Sequence, residues 1–272
     1  MMKMHLKNLL LSSFFIFFSV AVPSATAQSV LIYGSSESPT MTQMIEAREL
    51  FTYEVTYGFM TLGWIDVQLL PDSTYQGETA YHLRTTIRSN RRNILAGNRY
   101  VNYENLFQYN EKWLYSHVFW RDDIHDGDYD RVRIQFDRNN GMVHFYEYGE
   151  YQSSLPIEEP ASGGDVIFFF SRLFAGTDQS YAMPAFIENE KGYVRADNSP
   201  EIEMRSYDAF EEEIPVYKSE GVADIEGPFG FRGSFRAWFS TDDLRVPVEA
   251  HVRVIFGNVK VRLISYERNG ER

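Results

Sequence analysis

The densest set of residues able to hold a metal ion is the run Asp122-Asp123-Ile124-His125-Asp126-Gly127-Asp128-Tyr129-Asp130. Asp122, Asp126, Asp128 and Asp130 offer the hard carboxylate oxygens that calcium takes. The spacing departs from the helix–loop–helix calcium pattern, because Ile124 occupies a ligand position and no Glu stands twelfth. Turns select Asp and Gly for backbone reasons, so the run reads first as a solvated hairpin loop and second as a weak metal site. His82, His117, His125, His144 and His251 fall in no zinc spacing. A zinc site built from distant strands stays open, but no spacing supports it.

Catalytic signatures are equally thin. The Gly-x-Ser-x-Gly nucleophile elbow is absent. Glu158-Glu159 and Glu211 to Glu213 read as solvated runs rather than an acid/base pair. Gly227, Gly230 and Gly233, flanking Pro228 and Phe231, do not match the dinucleotide fingerprint in spacing or context. No catalytic residue and no cofactor follow from the sequence. What remains is apolar: Trp64, Tyr81, Trp113, Phe168, Phe170 and Trp238 are read as a candidate ligand-binding set lining a cavity between a curved sheet and a buried helix. Taken singly, each is ordinary core.

The elements that would position this set begin after a leader. Lys3, His5 and Lys7 precede an apolar run from Leu9 to Val22, and Ala25-Thr26-Ala27 gives a small-residue cleavage region before Gln28. The run falls short of the roughly 20 residues a bilayer-spanning helix needs, which favours cleavage after Ala27 over anchoring. The chain has no cysteine, so it carries no disulfide and no acylatable thiol after the leader. The net charge is −12, and the leader holds only basic residues, so the remainder is more acidic still. Nucleic acid and anionic membrane surfaces are poor partners for such a chain. The expected product is periplasmic or secreted and has no stable membrane anchor.

Residues 28–49 read as a mobile lead-in, and 50–272 as one β-rich domain. Phe51, Tyr53, Val55, Tyr57 and Phe59 alternate with Thr52, Glu54, Thr56 and Gly58, the pattern of a half-buried strand. Leu62-Gly63 turns into a second strand with Ile65, Val67 and Leu69 opposite Trp64, Asp66 and Gln68. Val132, Ile134 and Phe136 alternate likewise, and Asn139-Asn140-Gly141 supplies a hairpin turn. Near the C-terminus, Phe235, Ala237 and Phe239 are followed by Val246, Val248, Ala250, Val252 and Val254 across Thr241-Asp242-Asp243. Short turns imply antiparallel neighbours. One segment, Asp165 to Ala175, places Val166, Phe169, Phe170 and Leu173 at helical spacing, with Ser162 and Asp165 as a capping box and Gly176 as the stop. The expected fold is mainly β: a single antiparallel, strongly curved sheet, an open half-barrel or barrel, with that short helix buried in it.

The block Ala237-Trp238-Phe239-Ser240-Thr241-Asp242-Asp243-Leu244-Arg245-Val246-Pro247-Val248, with Gly257 and Leu263, resembles an exported bacterial family known as domain of unknown function 3108. Leu50 to Phe59 with Leu62-Gly63 is similar to that family's opening motif, and Phe170-Ser171-Arg172-Leu173 falls at its central helix. The resemblance implies an exported β-rich fold similar to the open half-barrels that carry lipoproteins in the bacterial envelope, and it supplies no activity. Read on its residues alone, Arg245 clamps its turn by pairing with an aspartate.

Three functions compete. A soluble envelope carrier for an apolar ligand, a lipid or an acylated protein, leads. A non-enzymatic assembly factor binding another protein through a sheet edge is second. A hydrolase assembled from distant residues is the weakest.

Overall fold

The structure, a computed structural model, describes residues 37–92, 97–110, 113–227, 231–254 and 257–270. The leader Met1–Ala27 lies outside the described residues. Within the lead-in, Met41–Glu46 forms a helix, α1, started by Thr40 and Gln43 in a reciprocal capping box. Met41, Met44 and Ile45 are buried beneath it. No helix among the described residues is long and apolar enough to cross a membrane.

The strands begin with β1 (Leu50–Tyr57), β2 (Met60–Leu69), β3 (Ser73–Tyr75) and β4 (Glu78–Ser89). Next come β5 (Arg99–Tyr109), β6 (Leu114–His125), β7 (Asp128–Asp137), β8 (Met142–Glu147) and β9 (Glu150–Pro156). The two-residue β10 (Ser162–Gly163) leads into helix α2 (Ile167–Phe170). Then follow β11 (Ser180–Ile187), β12 (Glu190–Arg205) and β13 (Ile214–Gly227). The chain closes with β14 (Phe231–Ser240), β15 (Pro247–Val254) and β16 (Gly257–Glu267).

Alternation drives these strands. In β1, Phe51, Tyr53 and Val55 are buried while Thr52, Glu54 and Thr56 are not. Each such apolar side chain contributes roughly 1.5–3 kcal/mol when fully buried. The strand ends at Tyr57, not Phe59, because Gly58 takes a positive φ and turns the chain; Phe59 stands 98% exposed at the tip. Between β7 and β8, Asp137 accepts from the Asn140 backbone N–H and side-chain amide, which fixes the hairpin.

The ladder runs from β10 through β11 to β16 in chain order, then β1, β2 and β4 to β9, with β3 paired to β4. The expected single antiparallel, strongly curved half-barrel or barrel is therefore corrected: the sheet is open and mixed. No pairing joins β9 to β10, the two ends of the path, and β10 runs parallel to β11. The cause is local. Pro156 ends β9 and Pro160 follows, each without an N–H to donate, and β10 is too short to extend a ladder before the chain turns into helix. Contacts other than a strand ladder reach between the end regions: the Ser116 N–H donates to the Ala161 carbonyl, Arg121 pairs with Glu188, Lys191 with Glu158, and the Phe136 ring meets Phe186.

The helix expected over Asp165 to Ala175 is present as α2 between 3₁₀ turns at Gly164–Val166 and Ser171–Leu173. Ser162 does not cap it: the N-cap position falls to Gly163, which has no side chain to offer. Gly176 stands just beyond with φ 78°, where a Cβ would come within 2.6 Å of the Tyr217 ring. Val166, Phe169 and Phe170 join one apolar core with Met44, Phe51 and Leu263. A second core gathers Ile134, Phe136, Phe145 and Phe186. In the C-terminal turn, Arg245 bonds the Thr241 and Asp242 carbonyls at 2.8 Å, and it is Arg268 that pairs with the Asp243 carboxylate.

Candidate functional site

A cavity of about 420 Å³ is walled by members of both cores. Its making is visible in the register. Ala237 of β14 faces Ala250 of β15, and Ala250 in turn faces Val261 of β16. Three small side chains in one cross-strand row leave room that the larger Phe235 and Phe239, on the same face, do not fill. Tyr53, Ile65 and Val67 from β1 and β2 extend the wall, and Tyr103 and Phe119 from β5 and β6 continue it. Ile167 and Phe168 of α2 complete it, the Phe168 ring edge-on to Phe51 at 4.7 Å and to Tyr53 at 6.2 Å.

The polar groups at this wall are few and mostly engaged. Arg99 is bonded to Asp123, and Arg121 to Asp130 and Glu188. Ser219 donates to Asn198, and Glu249 is held by Arg205 and His251. Tyr53 donates to the Pro247 carbonyl at 2.8 Å. Burial pushes the Tyr103 hydroxyl up to about 12, so it stays protonated. Asp165 differs from the rest. Its Oδ1 accepts from the Asn105 amide at 2.7 Å, but its buried Oδ2 has no hydrogen-bond partner. Burial raises its pKa to about 6 against the opposing pull of the Asn105 amide and of the Asp165 and Val166 backbone N–H groups.

Of the six aromatics singled out in the sequence, Phe168 lines this cavity. Trp64 and Trp238 each lie one position out of phase with the cavity-facing residues, Ile65 and Val67 on β2 and Ala237 and Phe239 on β14. Trp238 sits under the Arg205 guanidinium at 4.3 Å and donates from Nε1 to Glu203 at 3.1 Å. Tyr81 packs against Phe107 and Tyr109 elsewhere in the core. Trp113 and Phe170 do come together, stacked at 6.2 Å, but outside the cavity wall. Aromatic residue type does not mark the wall; strand phase does. Ala237 and Ala250 were legible as inward positions of their strands, and their small size was the signal for a void.

The acidic run forms the β6–β7 hairpin. Asp122 is taken by Arg131 and the Tyr129 hydroxyl, Asp130 by Arg121, and Asp126 accepts the Asn98 N–H at 3.1 Å. Asp128 pairs with His125 across the hairpin end. Among the described residues no group of three His, Asp or Glu is placed to hold a metal ion.

Fold and site together define a mainly-β protein with an internal apolar cavity roofed by a short helix. No family model and no curated protein matches the chain, so the likeness to domain of unknown function 3108 is not upheld. Among solved structures, a β-barrel-like protein of the DUF1849 group from Brucella abortus is similar at 8% identity with a TM-score of 0.48, covering 82% of this chain and 98% of its own. A Bacteroides fragilis protein with a YmcC-like fold is similar at 9% identity with a TM-score of 0.35, covering 87% and 99%. Neither likeness assigns a function.

Proposed function

We propose that this is an exported binding or carrier protein that holds an apolar or acylated ligand in the cavity beneath α2. The observation that carries the reading is the void itself, bordered by the Ala237–Ala250–Val261 row and lined mainly by apolar side chains. An apolar pocket with a few fixed polar groups is the ordinary form of a small-molecule site. The leader Met1–Ala27 supports export to the periplasm or beyond.

Native mass spectrometry and organic extraction of the mature protein test it, and a co-purified apolar ligand is expected. Filling the void by Ala250→Phe should abolish that ligand while leaving urea stability within about 1 kcal/mol, since the new ring enters space already present. Retained ligand in the filled variant would sink the proposal.

A second reading has one observation of its own. Strand β9 ends the ladder with Tyr151 59% exposed and Tyr148 58% exposed beside it, an edge that could accept a strand from another protein. Crosslinking in cells from residue 151 that yields one dominant protein partner favours that reading over the carrier.

A further inference from the structure

The cavity wall carries one carboxyl that nothing in the fold neutralises. Asp165 lies in the first turn of the helical segment, two residues past the N-cap Gly163, within reach of the Asp165 and Val166 N–H groups. Asn105 reaches Oδ1, while Oδ2 of Asp165 and Oδ1 of Asn105 remain buried without a partner, as does the nearby Ser162 hydroxyl. No charged side chain enters among the influences on its ionisation, which are burial and hydrogen bonds alone. The arginines of the same wall are bound elsewhere, Arg99 to Asp123 and Arg121 to Asp130 and Glu188. Leaving acceptor oxygens unpaired in a buried place costs more than a hydrogen bond returns, so such a group marks a place where a donor is missing.

Resting on the carrier reading, we infer that Asp165, with Asn105 behind it, is the polar anchor of the cavity and selects an apolar ligand ending in a hydrogen-bond donor, an amine or an alcohol, over one ending in an anion. The free oxygen of Asp165, a wall residue, fits a donor head, and an anionic head would face an unshielded carboxylate in surroundings of low dielectric. The apolar chain of the ligand then follows the Ala237–Ala250–Val261 row.

Three probes of one chain length separate the possibilities: dodecylamine, dodecanol and dodecanoate, each displacing the fluorescent reporter N-phenyl-1-naphthylamine from the mature protein at neutral pH. High salt screens the general acidity of the surface and leaves a buried contact nearly untouched. The amine or the alcohol is expected to displace the reporter at roughly 10- to 100-fold lower concentration than dodecanoate, the worth of one hydrogen bond to a charged group. Asp165→Asn should remove most of that gap while keeping reporter binding. Whichever of amine and alcohol leads identifies the head group. Equal displacement by all three, tighter binding of dodecanoate, or a gap that survives Asp165→Asn overturns the inference and leaves the carrier reading standing. Failure of the reporter and all three chains to bind removes both. The wild-type order alone decides the matter if the variant does not fold.

Discussion

Replacing Arg172 by Met is expected to destabilise the fold by about 3–5 kcal/mol, the cost of stripping a buried charge of its partner. Arg172 has no exposed surface, and Glu49 is 3% exposed. The guanidinium meets both Glu49 oxygens, at 2.7 and 2.9 Å, and donates from Nε to the Leu244 carbonyl at 2.7 Å. Tyr266 donates to the same carboxylate at 2.7 Å, and the guanidinium lies over the Phe51 and Phe169 rings at 5.8 and 5.9 Å. One ion pair thus ties the end of the helical segment to the entry of β1, the loop before β15 and the end of β16. Removing both charges, as Glu49→Leu with Arg172→Met, should recover much of the loss, because no unpaired ion is left inside. Urea denaturation of the two single variants and the double reads this directly. A single-variant loss below about 1 kcal/mol, or a double variant as weak as the sum of the singles, would show that the network is not the pin described.

Asp165→Asn is expected to act in the opposite direction, and only above mildly acid pH. In the fold the carboxyl keeps its proton up to about pH 6, whereas the unfolded chain releases it near 3.8. Between those values the folded state binds more protons than the unfolded one, so stability falls as the pH rises through the window. Below it the substitution should be nearly neutral. Above it the amide relieves the buried charge and gains on the order of 2–3 kcal/mol. Parallel urea titrations of wild type and variant across the window check this. A difference that stays flat with pH would place the ionisation of Asp165 elsewhere.

Much of the sheet was legible because one face is buried, so β1, β2, β7, β8, β14, β15 and β16 all show period-two alternation. The short helix was legible because four apolar residues recur at its spacing. The open, mixed ladder was not, since the parallel pairing of β10 rests on two residues, Ser162 and Gly163, with no pattern of their own. The site was legible in kind and missed in detail. Trp64 and Trp238 drew attention by size, although the alternation of their own strands had already placed Ile65, Val67, Ala237 and Phe239 on the other face. Asp165 was visible only as a helix-start residue. That it has no ion-pair partner among the described residues is a property of the tertiary arrangement, and no local spacing announces it.

The pairing of β1 with β16 sets an order of events for the growing chain. Leu50 lies opposite Glu267, and the Asn269 N–H bonds the Ala47 carbonyl at 3.0 Å, so the first strand is completed by a strand far downstream in the chain. A ladder closed over that span of sequence pays its loop-closure entropy before the contact rewards it, and such topologies fold slowly. The polypeptide therefore stays without its central seam until β16 has been made.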